Sequence, residues 1–276
     1  MSQIAQPSGR VSIVTPTLNS ARFIEACVAG VVGQGDAVLE HIIVDGGSTD
    51  GTIEIVERLM ADHAHLRLLR GPDEGQSDAM NKGSAAARGE IIGLLNCDDF
   101  HEAGVVAKAA EHLAQMGGLG FVSGDCRVID QFGELAFWNY PTDLRLEALL
   151  LGWKRAQHPC NPSAYFYHKA VHELVGGYDL ADHLTMDFDF ILSCAAKVKM
   201  SYVAEHWGNF RLIPGCKSFE NRHSGPQRTA AMLSRHRGRL NATQRKTMNR
   251  LRAAGLLGDA KRKLKRVARI AGMSRD

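Results

Sequence analysis

The stretch that most restricts the fold is Ile91-Ile92-Gly93-Leu94-Leu95-Asn96-Cys97-Asp98-Asp99. A short aliphatic run without helical period reads as a strand buried on both faces, and such strands belong to parallel sheets covered by helices. It stops abruptly on polar atoms. Two adjacent carboxylates at the carboxyl end of a buried strand sit where open α/β sheets bind ligands. Hard oxygen donors of this kind suit Mg²⁺ or Mn²⁺ held jointly with a substrate's phosphates, and the plain alternative is an Asp-rich turn.

Two further runs upstream end in the same way. Val11-Ser12-Ile13-Val14 is broken by Thr15-Pro16-Thr17-Leu18-Asn19, where Pro16 lacks a donor and is expected to force the chain out of the ladder. His41-Ile42-Ile43-Val44 ends on Asp45. Between them Ile24, Cys27, Val28, Val31 and Val32 fall at helical spacing behind Ser20, a candidate cap. After Gly46-Gly47-Ser48-Thr49-Asp50-Gly51-Thr52 a second helix is expected to turn Ile53, Val56 and Met60 inward. A strand at Leu66–Leu69, a loop from Gly71 to Ser77, a helix carrying Asp78 to Gly83, a helix from about Ala103 to Gln115 and a strand at Phe121–Asp125 continue the alternation. This cadence predicts an α/β fold, a mostly parallel central sheet flanked by helices, with several strand ends aimed into one crevice. Ser48 and Asp50 serve equally well as caps of the next helix or as ligand groups. Asp45 is read as a ligand group, because a carboxylate ending a buried strand has no capping duty.

No GxGxxG follows the first strand and no GxxxxGK[ST] occurs, which excludes nicotinamide-dinucleotide and P-loop readings. The six cysteines are scattered without a CxxC pair, which argues against zinc or disulfide frameworks. No run reaches the roughly 18 apolar residues of a membrane span, and MSQIAQPSGR lacks the apolar core of a signal peptide, so a cytoplasmic location is expected. Charge divides the chain: residues 1–221 carry 17 Lys+Arg against 28 Asp+Glu, whereas residues 222–276 carry 16 against 2. The tail is a separate electrostatic object suited to an anionic partner.

These blocks, in this order, resemble glycosyltransferase family 2, the inverting, metal-dependent sugar transferases of the A-type (GT-A) nucleotide-sugar fold found in bacterial polysaccharide biosynthesis. Val11 to Asn19 is similar to the family's opening strand and Thr/Ser-Pro-x-x-Asn turn, and Asp45 to Thr52 to its Gly-Gly-Ser-x-Asp-Gly-Thr block. Asp73-Glu74-Gly75 with Ala79-Met80-Asn81-Lys82-Gly83 resembles its Asp-x-Gly and Ala-x-Asn-x-Gly pair, and Gly89 to Asp99 its metal strand. The resemblance implies a nucleotide-sugar donor, most often a UDP-sugar, contacted by Pro16, Thr17, Leu18, Asn19, Asp45, Gly46, Ser48, Asp78, Asn81 and Asn96. It implies Mn²⁺ or Mg²⁺ held by Asp98 and Asp99. One departure stands out: many relatives read Asp-x-Asp-Asp where this chain has Asn96-Cys97-Asp98-Asp99, and the amide supplies no charge.

Further along, Val175-Gly176-Gly177-Tyr178-Asp179 leads to Met186-Asp187-Phe188-Asp189. In the family a similar turn precedes an acidic pair whose Asp is the catalytic base, and Asp187 matches it with Met186 in place of the Glu. Asp187 and Asp189 lie about 200° apart on a helix and cannot both face one site. Asp187 is the expected base, and Asp189 a charge at the helix N-terminus. Asp78, in the first turn of its helix, is equally well explained by the helix dipole. His158 and Asn161 lie where relatives line the acceptor side, and a lone His is more often structural. Gly215-Cys216-Lys217-Ser218 resembles a Gly-x-x-Ser feature that would bring Lys217 to a phosphate.

The expected organisation is a catalytic domain over 1–221, with a nucleotide-sugar half to about 125 and an acceptor half over about 126–221, followed by a basic helical extension over 222–276. The acceptor implied is a glycan or lipid-linked hydroxyl. In the tail, Leu264, Val267, Ala268 and Ala271 share a face with Lys261, Arg262, Lys265, Arg266 and Arg269 around it, which reads either as a solvated helix or as an interfacial helix on an anionic inner membrane. Specific nucleic-acid binding is disfavoured, since the tail lacks stacking aromatics and the front half is acidic. A nucleotidyltransferase of related fold is disfavoured because no Gly-rich activation loop with Arg follows the first strand.

Overall fold

The computed structural model describes residues 10–182, 184–221 and 225–255. Nine strands form one sheet: β1 (Val11–Thr17), β2 (Val38–Asp45), β3 (Leu66–Arg70), β4 (Ile91–Leu94), β5 (Phe100–His101), β6 (Gly120–Ile129), β7 (Leu135–Asn139), β8 (Tyr165–His168) and β9 (Lys199–Arg211). Their order is β3-β2-β1-β4-β8-β6-β9-β5, with β7 added to β6. The β3-β2-β1-β4 half is parallel, and β8 runs antiparallel to both β4 and β6, so the sheet as a whole is mixed. Helices α1 (Ile24–Val32), α2 (Thr52–Asp62), α3 (Gln76–Ala86) and α4 (Val105–Gln115) accompany the first half. The short α5 (Leu146–Leu149), α6 (Lys169–Val175), α7 (Met186–Lys197), α8 (Lys217–Glu220), α9 (Gly225–Gly238) and α10 (242–255) belong to the second.

The expected burial on both faces is present residue by residue. Side chains alternate across a strand, and here Ile13, Ile43, Ile91, Val122 and Phe166 enter one apolar cluster with α1, α2 and α4. Their neighbours Val14, Ile42, Ile92, Phe121 and Tyr165 enter the other, with α3, α6 and α7. Gly83 explains how α3 comes so near: a Cβ there would collide with Val14 and Val44 side chains, so only glycine lets this helix lie directly on β1 and β2.

Three local expectations are corrected. Pro16 does not end β1, which stays paired with β2 as far as Thr17 opposite Asp45. The Thr17 carbonyl accepts from Gly46 on the β2 side, and the Val14 carbonyl from Leu95 on the other. Pro16 shares the parity of Val14, so its nitrogen faces β4 beyond that strand's end at Leu94, and no ladder bond is lost. Ser20 closes the turn before α1 with its carbonyl, which accepts from Phe23 and Ile24, rather than capping the helix with its side chain. In α2 the inward positions are Thr52 and Val56 flanked by Ile55 and Leu59. A 3.6-residue period places the next inward position at 59, which leaves Met60 38% exposed.

The basic extension is not an appendage over its described part. Met232 and Leu233 of α9, with Leu240 and Met248, are buried in the same cluster as Phe190, Ile191 and Leu192 of α7. Residues 256–276, which contain the expected interfacial helix, lie outside the described residues.

Candidate active site

The carboxyl ends of β1 and β4 open into a cleft of about 520 Å³, closed by the N-termini of α3 and α7, the 157–162 loop and the segment from Phe210 to Ser218. Pro16, Thr17, Leu18, Asn19, Asn96, Asp98, Asn161, Asp187 and Lys217 all line it, so residues far apart in sequence meet there as expected. A second cavity of about 470 Å³, lined by Thr142 to Glu147, the end of α7 and Tyr202, contains the Asp143–Arg145 ion pair and none of these groups.

The first wall is built by two loops latched together. Asn19 adopts φ 51°, which Asn tolerates better than most residues. Its Oδ1 accepts from Thr49 N–H at 2.9 Å, and its own N–H donates to Ser48 Oγ at 2.8 Å. Asp50 accepts from Ala21 N–H and from the Thr52 hydroxyl, and these bonds hold its carboxyl below the usual range. Asp45 has a different task from the one expected. It is 1% exposed, its Oδ1 accepts from the N–H groups of Gly47 and Ser48, and its Oδ2 accepts from Ser48 Oγ at 2.5 Å. It therefore caps its own loop, and neither it nor Gly46 nor Ser48 lines the cleft. Gly46 acts by absence of a side chain, since a Cβ would collide with the Asp73 carboxylate. Asp73, whose Oδ1 accepts from Gly75 N–H, does line the cleft. It was legible in the Asp73-Glu74-Gly75 block but missing from the expected site set.

Two other expected donor contacts are struts. Asp78 accepts from Glu74 N–H and pairs with Lys82 at 2.7 Å, holding the loop before α3, and Lys82 is the chief cause of its lowered carboxyl. Asn81 accepts from Tyr178 N–H at 2.8 Å and donates to the Tyr178 carbonyl at 2.9 Å, tying α3 to the turn after α6. His158 is equally structural. It stacks on Phe188 at 3.7 Å with Trp153 edge-on, and burial lowers its imidazole to about 3.

Adjacent carboxylates take opposite roles. Asp98 lines the cleft, where desolvation raises its carboxyl against the attraction of Arg211. Asp99 points beneath, 3% exposed. Its Oδ2 accepts from Asn96 Nδ2 at 2.9 Å and Asn161 Nδ2 at 2.7 Å, and its Oδ1 from Arg211 N–H at 2.9 Å. With both oxygens occupied and burial pushing it up to about 8, Asp99 knits the end of β4 to the 157–162 loop and β9 rather than facing a ligand. The spacing of neighbouring carboxylates cannot show this, since consecutive side chains in a turn diverge. Among the described residues no three His, Cys, Asp or Glu side chains cluster as an all-protein metal site. One cleft carboxylate nevertheless fits Mg²⁺ or Mn²⁺, which are commonly held by one or two carboxylates together with substrate phosphates and water.

Asp187 lines the same cleft from the N-terminus of α7. Its Oδ1 accepts from Tyr165 Oη at 3.2 Å, and burial pushes its carboxyl up to about 6, tempered by that hydrogen bond and by Lys217. Lys217 is exposed on the cleft wall, and partial desolvation lowers its ammonium against the pull of Asp187 and Asp73. Asp189 turns to the opposite side, accepting from Arg235 at 2.5 Å and His236 at 2.8 Å on α9. The helical angle anticipated this divergence, but not that the tail supplies the partners.

A mixed, doubly covered α/β sheet whose strand ends open into a cleft lined by the carboxylates of Asp73, Asp98 and Asp187 is the architecture of a nucleotide-sugar transferase type of enzyme. The family model described as "Glycosyl transferase family 2" matches residues 12–173, and the chain belongs to this family and is a glycosyltransferase. It is 34% identical over 186 residues to a PGL/p-HBAD biosynthesis glycosyltransferase of Mycobacterium bovis, covering 66% of this chain and 68% of that one. Among solved structures it is similar to S. aureus TarS in complex with UDP, with TM-score 0.59 and 17% identity, covering 73% of this chain and 60% of that one. A mannosyltransferase from Pyrobaculum calidifontis, in complex with GDP-Man and Mn²⁺, matches with TM-score 0.52 and 22% identity, over 73% and 57% of the two chains. The fold is GT-A.

Proposed function

We propose that this chain is an inverting glycosyltransferase which moves a sugar from a nucleoside-diphosphate sugar to an acceptor hydroxyl by single displacement. The observation that carries the reading is that Asp98 and Asp187 line one cleft, the second carboxylate desolvated so that it takes up a proton near neutrality. The donor lies against Pro16 to Asn19, Asp73 and Asn96, with its diphosphate towards Asp98 and Lys217. TarS, crystallised with UDP and with UDP-GlcNAc, is in line with a UDP-sugar.

Asp187 Oδ2 takes the proton of the acceptor hydroxyl as that oxygen attacks the anomeric carbon, while the bond from that carbon to the diphosphate oxygen breaks. The carboxylate at Asp98 would hold a divalent ion, which when bound neutralises charge on the leaving diphosphate. Lys217 adds positive charge from the other side of the cleft, and the Phe210 to Ser218 segment screens the site from water. The acceptor we infer is a glycan or lipid-linked hydroxyl, the enzyme being cytoplasmic and held at an anionic inner-membrane surface by its basic tail. Among the described residues no helix is long and apolar enough to cross a membrane.

Calorimetry and thermal shift with UDP, GDP, dTDP and CMP, with and without Mn²⁺, test the donor site on the wild type and Asp98→Ala. Metal-dependent binding of one nucleoside diphosphate, lost in the variant, is expected. Binding by none of the four, or binding indifferent to Asp98, would overturn the assignment.

A further inference from the structure

The proton acceptor of the reaction is not held by its own helix. Asp187 sits in the first turn of α7 with one oxygen engaged from β8, by Tyr165 Oη at 3.2 Å, and Tyr165 Oη lies 3.1 Å from Tyr178 Oη. Both phenols are withdrawn from water, Tyr165 being 0% and Tyr178 2% exposed, while Asp187 is part-buried at the cleft wall. A phenol has one proton. If Tyr165 directs its proton to the carboxylate, the remaining bond runs from Tyr178 Oη to Tyr165 Oη, so direction is set along the chain Tyr178, Tyr165, Asp187. Tyr178 is fixed in turn, since Asn81 grips its N–H and its carbonyl and its ring stacks on Phe190 at 4.4 Å.

We propose that Tyr165, oriented by Tyr178, is the positioning residue of the transfer reaction: it occupies Oδ1 of Asp187, leaves Oδ2 to face the acceptor hydroxyl, and governs the base's affinity for the proton. This rests on the assignment of Asp187 as base. A hydrogen bond donated to a carboxylate favours the charged form, whereas burial disfavours it. At Asp187 the two act in opposite directions, and burial is the larger. Removing the Tyr165 hydroxyl leaves burial opposed, among the described residues, by Lys217 from α8.

The other groups around this carboxylate have partners of their own, although Tyr167 also reaches Tyr178. Tyr167 of β8 bonds to His172 of α6, whose Nε2 contacts Asn81. Asp189 is held by Arg235 and His236 of α9, and Asp73, also on the cleft wall, attracts Lys217. Tyr165 is thus the only neutral donor that the described residues bring to Asp187.

The test is the pH dependence of kcat/KM in full-length protein, for wild type, Tyr165→Phe, Tyr178→Phe and Asp187→Asn, with nucleoside-diphosphate affinity measured alongside. In Tyr165→Phe the acid limb is expected to move upward by about one pH unit, with nucleotide affinity unchanged, since one hydrogen bond to the charged form has gone. Tyr178→Phe should move it the same way by less. A uniformly lowered rate with the limb unmoved would overturn the inference and leave Tyr165 a packing residue. Should Tyr165→Phe not fold, the Tyr178→Phe limb decides, and an unmoved limb there also overturns it. Asp187→Asn separates the two levels. If it keeps a rate within about tenfold of wild type, the base assignment itself fails. If it is inactive while the tyrosine variants leave the limb in place, only the role of Tyr165 fails.

Discussion

The tail can be cut at two places, and the structure distinguishes them sharply. Ending the chain at Asn221 removes Met232, Leu233, Leu240 and Met248, which are 4%, 7%, 5% and 8% exposed, and uncovers the α7 residues they cover. At about 1.5–3 kcal/mol per buried side chain, this loss is roughly 6–12 kcal/mol, an upper figure because an unfolded chain already hides some surface. It also strips Asp189 of its partners Arg235 and His236. The sum is comparable to the whole stability of a domain, about 5–15 kcal/mol, so the 1–221 fragment should fail to melt cooperatively. Ending at Gly255 keeps every one of these contacts, and its melting temperature should lie within about 2 °C of the full chain, since the described core is untouched. Differential scanning calorimetry of both fragments is the assay. A cooperative 1–221 fragment melting near the full chain would refute the reasoning. The 1–255 fragment is therefore the one to compare with full-length protein in flotation on anionic vesicles, where equal partition of the two would remove the membrane role of the last 21 residues.

Asp187→Asn should cost activity about 10²–10⁴-fold while leaving nucleotide binding intact. It should also stabilise the fold. The folded carboxyl is raised to about 6 from an ordinary 3.8, so folding favours the protonated form, and stability is lost as pH rises from about 4 through 6. The neutral amide avoids that loss of about 3 kcal/mol, at 1.36 kcal/mol per unit. Its melting temperature should exceed wild type at pH 8 and match it below pH 4, and equal melting at both would refute the burial argument. Asp99→Asn should keep metal-dependent nucleotide binding within a few-fold, because Asp99 spends both oxygens on Asn96, Asn161 and Arg211. A loss as complete as that of Asp98→Ala, measured by the same calorimetry, would put Asp99 back among the ligands.

Much of the scaffold was legible because burial on two faces leaves a simple mark. Val11–Val14, His41–Val44 and Ile91–Leu94 are short, mainly aliphatic runs without helical period, and each proved to be a strand covered above and below. The order of the polar blocks at their ends also brought Pro16 to Asn19, Asp98 and Asp187 to one cleft. What failed was the direction of individual side chains. Asp45 and Asp98 both end buried strands, yet Asp45 turns back to hold the amides of Gly47 and Ser48 while Asp98 faces open space.

The sequence by itself determined most strands and helices of the first half, β1 to β4 and α1 to α4, that their strand ends share an edge, and that Asp98 and Asp187 stand near it. Those features follow from local periodicity and from the need to bury apolar runs. Only the tertiary structure decided that Asp99, Asp78 and Asn81 are struts, that Asp73 reaches the cleft past Gly46, that Tyr165 meets Asp187, and that α9 belongs to the core. Most of these depend on a partner distant in the chain, up to 112 positions away for Asp99 and Arg211, whereas Asp78 is held by its near neighbours Glu74 and Lys82. A side chain's hydrogen bonds are settled by whichever group the completed fold sets within 3 Å of it, and no local pattern records that group.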